Sequence, residues 1–226
     1  MTNWKDFWEK KASSLSKEVQ VGRVVNGTLM TEDLKQKIAH RIVEQLMLQN
    51  SDALLDVCCG NGLLSSQLTP FCRQVHGVDF SESLIEQAKL INDNKLNFSL
   101  GNAENFKLNQ HFDKALLYFS FQYFEKEKMA QEVLQNILQH VNKGGTILIG
   151  DIPDKRKLFQ FYNSPLRLLR WVKQNLTQSN DMGRFWHPKE LINICNKLGA
   201  VAMVQEQEKW QPYSHYRFDL IIRKPQ

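Results

Sequence analysis

The chain has 226 residues, 42% of them apolar, which suits one α/β domain with a buried sheet and calls for no second core. Its net charge of +5 favours an anionic partner only weakly, and no apolar run reaches the roughly 18 residues that span a bilayer. The opening Met1-Thr2-Asn3-Trp4-Lys5-Asp6 is polar and does not read as a signal peptide, so a cytoplasmic location is expected.

Residues 1–50 read as helix, loop, helix. The opening helix carries Trp4, Phe7 and Trp8 on one side, which reads as a docked hydrophobic face. Residues 20–27 form a loop or short hairpin. A second helix follows Thr31 as N-cap and repeats Leu34, Ile38, Ile42 and Leu46 at intervals of four. From residue 53 the pattern becomes strand, turn, helix. Strands are expected at 53–58, 73–79, 96–100, 112–118 and 145–150, and helices at 62–69, 82–92 and 127–141. Such alternation implies βαβ units and a parallel sheet. Beyond residue 150 the rhythm breaks. Two helical pieces are expected within 154–178, divided at Asn163-Ser164-Pro165, and His187 precedes a helix starting at Pro188. Two strands near 200–208 and 216–223, joined by Trp210 to His215, imply an antiparallel pair. The cysteines at 58, 59, 72 and 195 form no Cys-x-x-Cys pair and no zinc spacing; buried free thiols and no metal are expected.

The segment Ala53-Leu54-Leu55-Asp56-Val57-Cys58-Cys59-Gly60-Asn61-Gly62 is an apolar strand entering a glycine turn before a helix. Glycines at 60 and 62 let backbone approach a ligand where a Cβ would clash. The helix N-terminus offers unpaired N–H groups to an anionic ligand end. Asp79 closes the next strand, 19 residues after Gly60, where a carboxylate accepts from both ribose hydroxyls. Dinucleotide enzymes share the glycine turn, but three features separate the readings. Asp56 stands where those enzymes are apolar, Ser65 replaces the third glycine, and Gly101-Asn102-Ala103-Glu104 follows the third strand at the same edge.

These residues resemble the class I S-adenosylmethionine-dependent methyltransferases, over about residues 50–152 and the closing strand pair. One departure is Cys58, which occupies the first family glycine. The resemblance implies a Rossmann-like three-layer sandwich around a mostly parallel seven-stranded sheet with an antiparallel last strand. S-adenosyl-L-methionine is the implied cofactor. Asp56 is implied to hold its methionine end, Asp79 its ribose, Phe80 its adenine face, and Asn102 and Ala103 its adenine edge. Cys58, Gly60, Gly62, Ser81, Glu104 and Tyr118 complete the expected cofactor set. An N-terminal arm folding over the cofactor would bring Arg23 to the methionine carboxylate. The chain then reads as a single domain: a helical arm (1–50), a cofactor-binding core (51–152), a helical lid (153–187) and a closing helix and strand pair (188–226).

Several acceptor classes are demoted by the loop after the fourth strand. It lacks the Asn/Asp-Pro-Pro-aromatic of amino-nucleobase enzymes, the Pro-Cys of cytosine C5 enzymes and the paired glutamates of arginine methyltransferases. An O or N atom of a small-molecule acceptor is the first reading. An RNA or protein substrate, a non-catalytic binding protein and a nicotinamide oxidoreductase are the alternatives, and nucleic acid is not expected. An antiparallel last strand would begin at the cofactor edge. His215 is then the leading base, with Asp151 and Tyr216 as alternatives, and Gln122, Tyr123 and Tyr213 as acceptor contacts. Seven basic residues between 151 and 187 suggest a lid with an anion-reading side, or simply a solvated basic face. A monomer or homodimer is expected.

Overall fold

The computed structural model describes residues 4–14, 16–25, 27–177 and 182–226. Two short helices, α1 (Trp4–Ala12) and α2 (Lys17–Gln20), lead into a small hairpin of β1 (Val24–Val25) and β2 (Thr28–Leu29), then α3 (Glu32–Leu46). The core runs β3 (Ala53–Val57), α4 (Leu63–Leu68), β4 (Gln74–Asp79), α5 (Glu82–Lys89), β5 (Leu96–Leu100), β6 (Phe112–Tyr118), α6 (Glu127–His140) and β7 (Val141–Pro153). The chain finishes with α7 (Leu158–Phe161), α8 (Pro165–Thr177), α9 (Pro188–Lys197), β8 (Val201–Glu206) and β9 (Arg217–Arg223).

Seven strands form one sheet in the order β5-β4-β3-β6-β7-β9-β8. The first five are parallel, while β9 runs antiparallel between β7 and β8. This is the Rossmann-like architecture expected above. The central strands are apolar on both faces because helices cover both. Their alternation splits the core in two: Leu55, Ala115 and Ile147 face one layer with α6 and α9, and Leu54, Leu116 and Leu148 face the other with α3 and α4. Each such side chain, fully buried, contributes about 1.5–3 kcal/mol.

Local chemistry sets the element ends. Thr31 caps α3 by accepting from the Leu34 N–H, and Ser81 caps α5 by accepting from the Leu84 N–H. His187 caps α9, with Glu190 reaching back to complete a capping box. The strand expected to reach Cys58 stops at Val57, because Cys58 adopts a left-handed φ of 61° that leaves the ladder. The fifth strand is longer than expected, beginning at Val141 and reaching Pro153. Its start is held by the C-terminus: the Gly144 N–H donates to the Lys224 carbonyl and the Lys224 N–H to the Gly145 carbonyl. Helix α2 was not foreseen; Ser16 nucleates it by accepting from the Val19 N–H. Residues 178–181 of the expected lid lie outside the described residues. No helix among the described residues is long and apolar enough to cross a membrane.

Candidate active site

The parallel strands end on one edge, and β9 begins there. In open α/β sheets that edge carries the ligand site, because loops leaving the strand ends splay apart between neighbours. A cavity of about 330 Å³ opens here, walled by Cys58, Gly60, Asp79, Phe80, Asn102, Ala103 and Glu104 on the β3–β5 side. On the β6 side its wall is Phe119, Ser120, Tyr123, Phe124 and Met129. Trp4, Trp8, Val21 and Arg23 from the N-terminal segment close over it.

Asp79 is the anchor of this geometry. Its Oδ2 accepts from the Gly60 N–H at 2.9 Å and its Oδ1 from the Ser81 N–H at 2.9 Å. The Phe80 N–H adds to this shell, and the lone pairs that remain are open to a ligand hydroxyl. Burial pushes its carboxyl up to about 6, against the pull of those backbone N–H groups. Gly60, at φ 57°, brings backbone close to the cavity floor; a Cβ there would lie 2.6 Å from Val21 Cγ1. Asp56 lies just below, accepting from the Ser65 hydroxyl at 2.6 Å, and burial pushes it up to about 7. The expected third glycine is therefore a serine that satisfies the motif's own acid.

Arg23 enters from the arm. Its guanidinium stacks on Phe119, 3.6 Å from the ring centroid, and donates to the Val21 carbonyl. Burial drops its pKa to about 10, countered by the fields of Asp151 and Asp56. Among the described residues it forms no salt bridge, so a cation faces the cavity without a carboxylate in contact. Asn61 ties this arm to the glycine turn, donating to the Lys17 carbonyl and to Gln20 Oε1. Trp4 packs on Tyr123, with centroids 4.3 Å apart, and donates to Glu125. The arm's aromatics thus dock as expected, but onto the cavity. The contributions of Trp4, Trp8, Val21, Cys59 and Met129 were not read from the sequence, because aromatic and aliphatic spacing signals burial without saying against what.

Other expected residues sit elsewhere. Gly62 turns away from the cavity: a Cβ there would meet Phe98 at 2.7 Å, so this glycine serves packing of β5 and not ligand approach. Asp56, Ser81, Tyr118, Gln122 and Tyr213 do not line the cavity either, though Ser81, Tyr118 and Gln122 touch residues that do. Gln122 donates to the Phe119 carbonyl, and Tyr118 accepts at its hydroxyl from Gln211. Behind Tyr123 lies a buried polar cluster. Arg217 donates to both the carbonyl and Oδ2 of Asp151 at 2.6 Å, and the Asp151 N–H donates to Asp219. Asp151 adopts φ 63°, strained for a non-glycine residue, and burial raises its carboxyl. Tyr216 is buried beside this pair, against Phe161. His215 is exposed and Tyr216 buried, both outside the cavity wall, in a turn where Tyr213 adopts φ 65°. Among the described residues of 153–187, none lines the cavity.

An acid at a strand end, beside a glycine turn, thus walls a cavity at the carboxyl edge of the sheet, where open α/β proteins bind their ligands. Residues 54–145 match the family model described as methyltransferase domain. The match covers these residues alone, and over them the chain resembles a methyltransferase domain. The chain is 27% identical over 161 residues to a ubiquinone biosynthesis O-methyltransferase of Rickettsia typhi, a match covering 68% of this chain and 63% of that protein. It thus spans under two thirds of that relative's length. The fold is similar to that of the N-methyltransferase NodS of Bradyrhizobium japonicum solved with S-adenosylhomocysteine, with TM-score 0.65, 13% identity and full coverage of both chains. It is also similar to a chain in the complex of the Haloferax volcanii Trm112 methyltransferase activator with the putative methyltransferase. That likeness has TM-score 0.71 and 13% identity, over 97% of this chain and 98% of that one.

Proposed function

We propose that this protein transfers a methyl group from S-adenosylmethionine to an O or N atom of a small acceptor. The reading is carried by Asp79: a buried carboxylate facing a cavity, braced by the Gly60 turn, with the Arg23 guanidinium, which meets no carboxylate in a salt bridge among the described residues, in the same cavity wall. The cofactor, when bound, supplies a methyl group on a positively charged sulfur, open to in-line displacement. Asp79 would accept from its ribose hydroxyls, Phe80 and the 102–104 turn would flank its base, and Arg23 would take its carboxylate. A nucleoside and a charged amino acid tail thus each find a complementary group in one cavity.

The protein's part in the chemistry is alignment, which is worth about 7–11 kcal/mol when two reactants are held in attack geometry. The acceptor would lie between Ser120, Tyr123, Phe124 and Met129, where the wall is mostly apolar. The oxygen-methylating relative in Rickettsia favours a hydroxyl acceptor, which must lose its proton. Asp151 and Tyr216, behind Tyr123, are the proposed groups for holding that proton's path, with Arg217 fixing the Asp151 carboxylate. Thermal shift with S-adenosylmethionine, S-adenosylhomocysteine and NAD tests the cofactor. A ligand at 100 times its dissociation constant adds about 2.7 kcal/mol of stability, so the first two should raise Tm and NAD should not. A mass-gain screen of hydroxylated and amino acceptors follows. No shift with either adenosyl compound would end the proposal.

A further inference from the structure

Gly60 and Asn61 are consecutive residues of one turn, and they serve different parts of the cavity wall. The Gly60 N–H braces Asp79 at 2.9 Å. The Asn61 side chain serves the N-terminal segment: its Nδ2 donates to the Lys17 carbonyl at 2.9 Å and to Gln20 Oε1 at 2.8 Å, while its Oδ1 accepts from the Leu63 N–H. Gln20 passes the link on, its Nε2 donating to the Ser14 carbonyl at 2.7 Å, just past α1. Both amides are buried, at 2% and 4% exposure. A buried polar group that loses its partner suffers its full desolvation penalty, so these bonds hold α2 to the turn. Their direction is fixed, because the Lys17 and Ser14 carbonyls can only accept. From α2 the chain leads straight to the cavity. The Arg23 N–H donates to the Glu18 carbonyl at 2.7 Å, and Val21 and Arg23 stand in the wall.

We infer that Asn61 and Gln20 are positioning residues, an amide latch that sets Arg23 where it meets the carboxylate tail of the cofactor. The inference rests on the methyl-transfer reading for the identity of that ligand. Arg23 depends on such support. Its side chain meets the Phe119 face at 3.6 Å and the Val21 carbonyl at 3.3 Å, and the second belongs to its own segment and moves with it. An ion pair from Lys35 to Glu18 ties α2 to α3 at 2.9 Å, but the link to the glycine turn runs through the two amides. Because residues 60 and 61 are adjacent, the ribose acid and the tail cation are set from one turn. That fixes the spacing between the two groups that would grip a nucleoside with a charged tail.

The test compares S-adenosylhomocysteine with adenosine, which keeps the nucleoside and lacks the charged tail, by calorimetric titration of the full chain. Asn61→Ala and Gln20→Ala should each weaken the first ligand tenfold or more and the second less than threefold. Adding Arg23→Gln to either should cost less than a further threefold, since the latch acts through that cation. A turn that had merely lost its shape would weaken both ligands alike, because it also braces Asp79. Hydrogen exchange of residues 17–23 in the empty protein should quicken tenfold or more in both variants, with β4 unchanged. Gln20→Ala lies outside the turn and decides the matter if Asn61→Ala fails to fold. Unchanged affinity for S-adenosylhomocysteine, equal weakening of the two ligands, or unchanged exchange overturns the inference. Failure of the wild type to bind either ligand would instead sink the methyl-transfer reading, and exchange alone would then decide whether the amides hold the arm.

Discussion

Asp79→Asn separates the cofactor site from the fold most sharply. The carboxylate meets the Gly60 and Ser81 N–H groups, one on each oxygen, with the Phe80 N–H beside them, and its remaining lone pairs are open to a ribose. An amide has one oxygen, so its nitrogen must face a backbone donor, and the ribose loses two charge-assisted acceptors. At about 1.5 kcal/mol each, the loss is about 3 kcal/mol, or about 100-fold in dissociation constant. The same carboxyl makes affinity pH-dependent. Its folded value of about 6 lies above the usual 3.8, so the empty folded protein holds the proton more tightly than the unfolded chain. The stability this group contributes is full below about 4 and is lost as pH rises through about 6. Cofactor affinity should move the other way, increasing up to about pH 7 as the carboxylate forms. Calorimetric titration with S-adenosylhomocysteine from pH 5 to 8 should give a rising profile in the wild type and a flat, weak one in Asp79→Asn. Equal affinities, or a flat wild-type profile, would refute the reasoning.

Gly60→Ala places a Cβ against Val21 at a left-handed φ, and should cost about 1–2 kcal/mol in urea unfolding while loosening the arm to proteolysis. Asp151→Asn should lower turnover tenfold or more with little change in cofactor affinity. His215→Ala, which removes an exposed side chain, should leave turnover within about threefold; steady-state kinetics with a found acceptor distinguish the two. Trp186→Ala empties a fully buried site between Phe121 and Arg184, and should destabilise by about 3–5 kcal/mol in chemical denaturation.

Much of the fold was legible because its strands and helices differ in period. Runs such as Ala53–Val57 and Ala115–Tyr118 are too short and too continuously apolar for anything but central parallel strands. The 19-residue spacing from Gly60 to Asp79 fixed which loops share an edge. Those two positions needed no tertiary knowledge, since backbone freedom and a strand-end carboxylate are local properties.

What lies opposite them was decided only by the fold. Gly60 and Gly62 look alike in the chain, yet one meets the cavity and the other Phe98. His215 and Tyr216 are neighbours, yet one is exposed and the other buried. Trp4, Trp8 and Arg23 reach the site through the docking of an arm whose anchor, Asn61, sits about forty residues away. A sequence records which side chains prefer burial; the partner against which each is buried depends on chain segments brought together from far apart, and that information exists only once the sheet has formed.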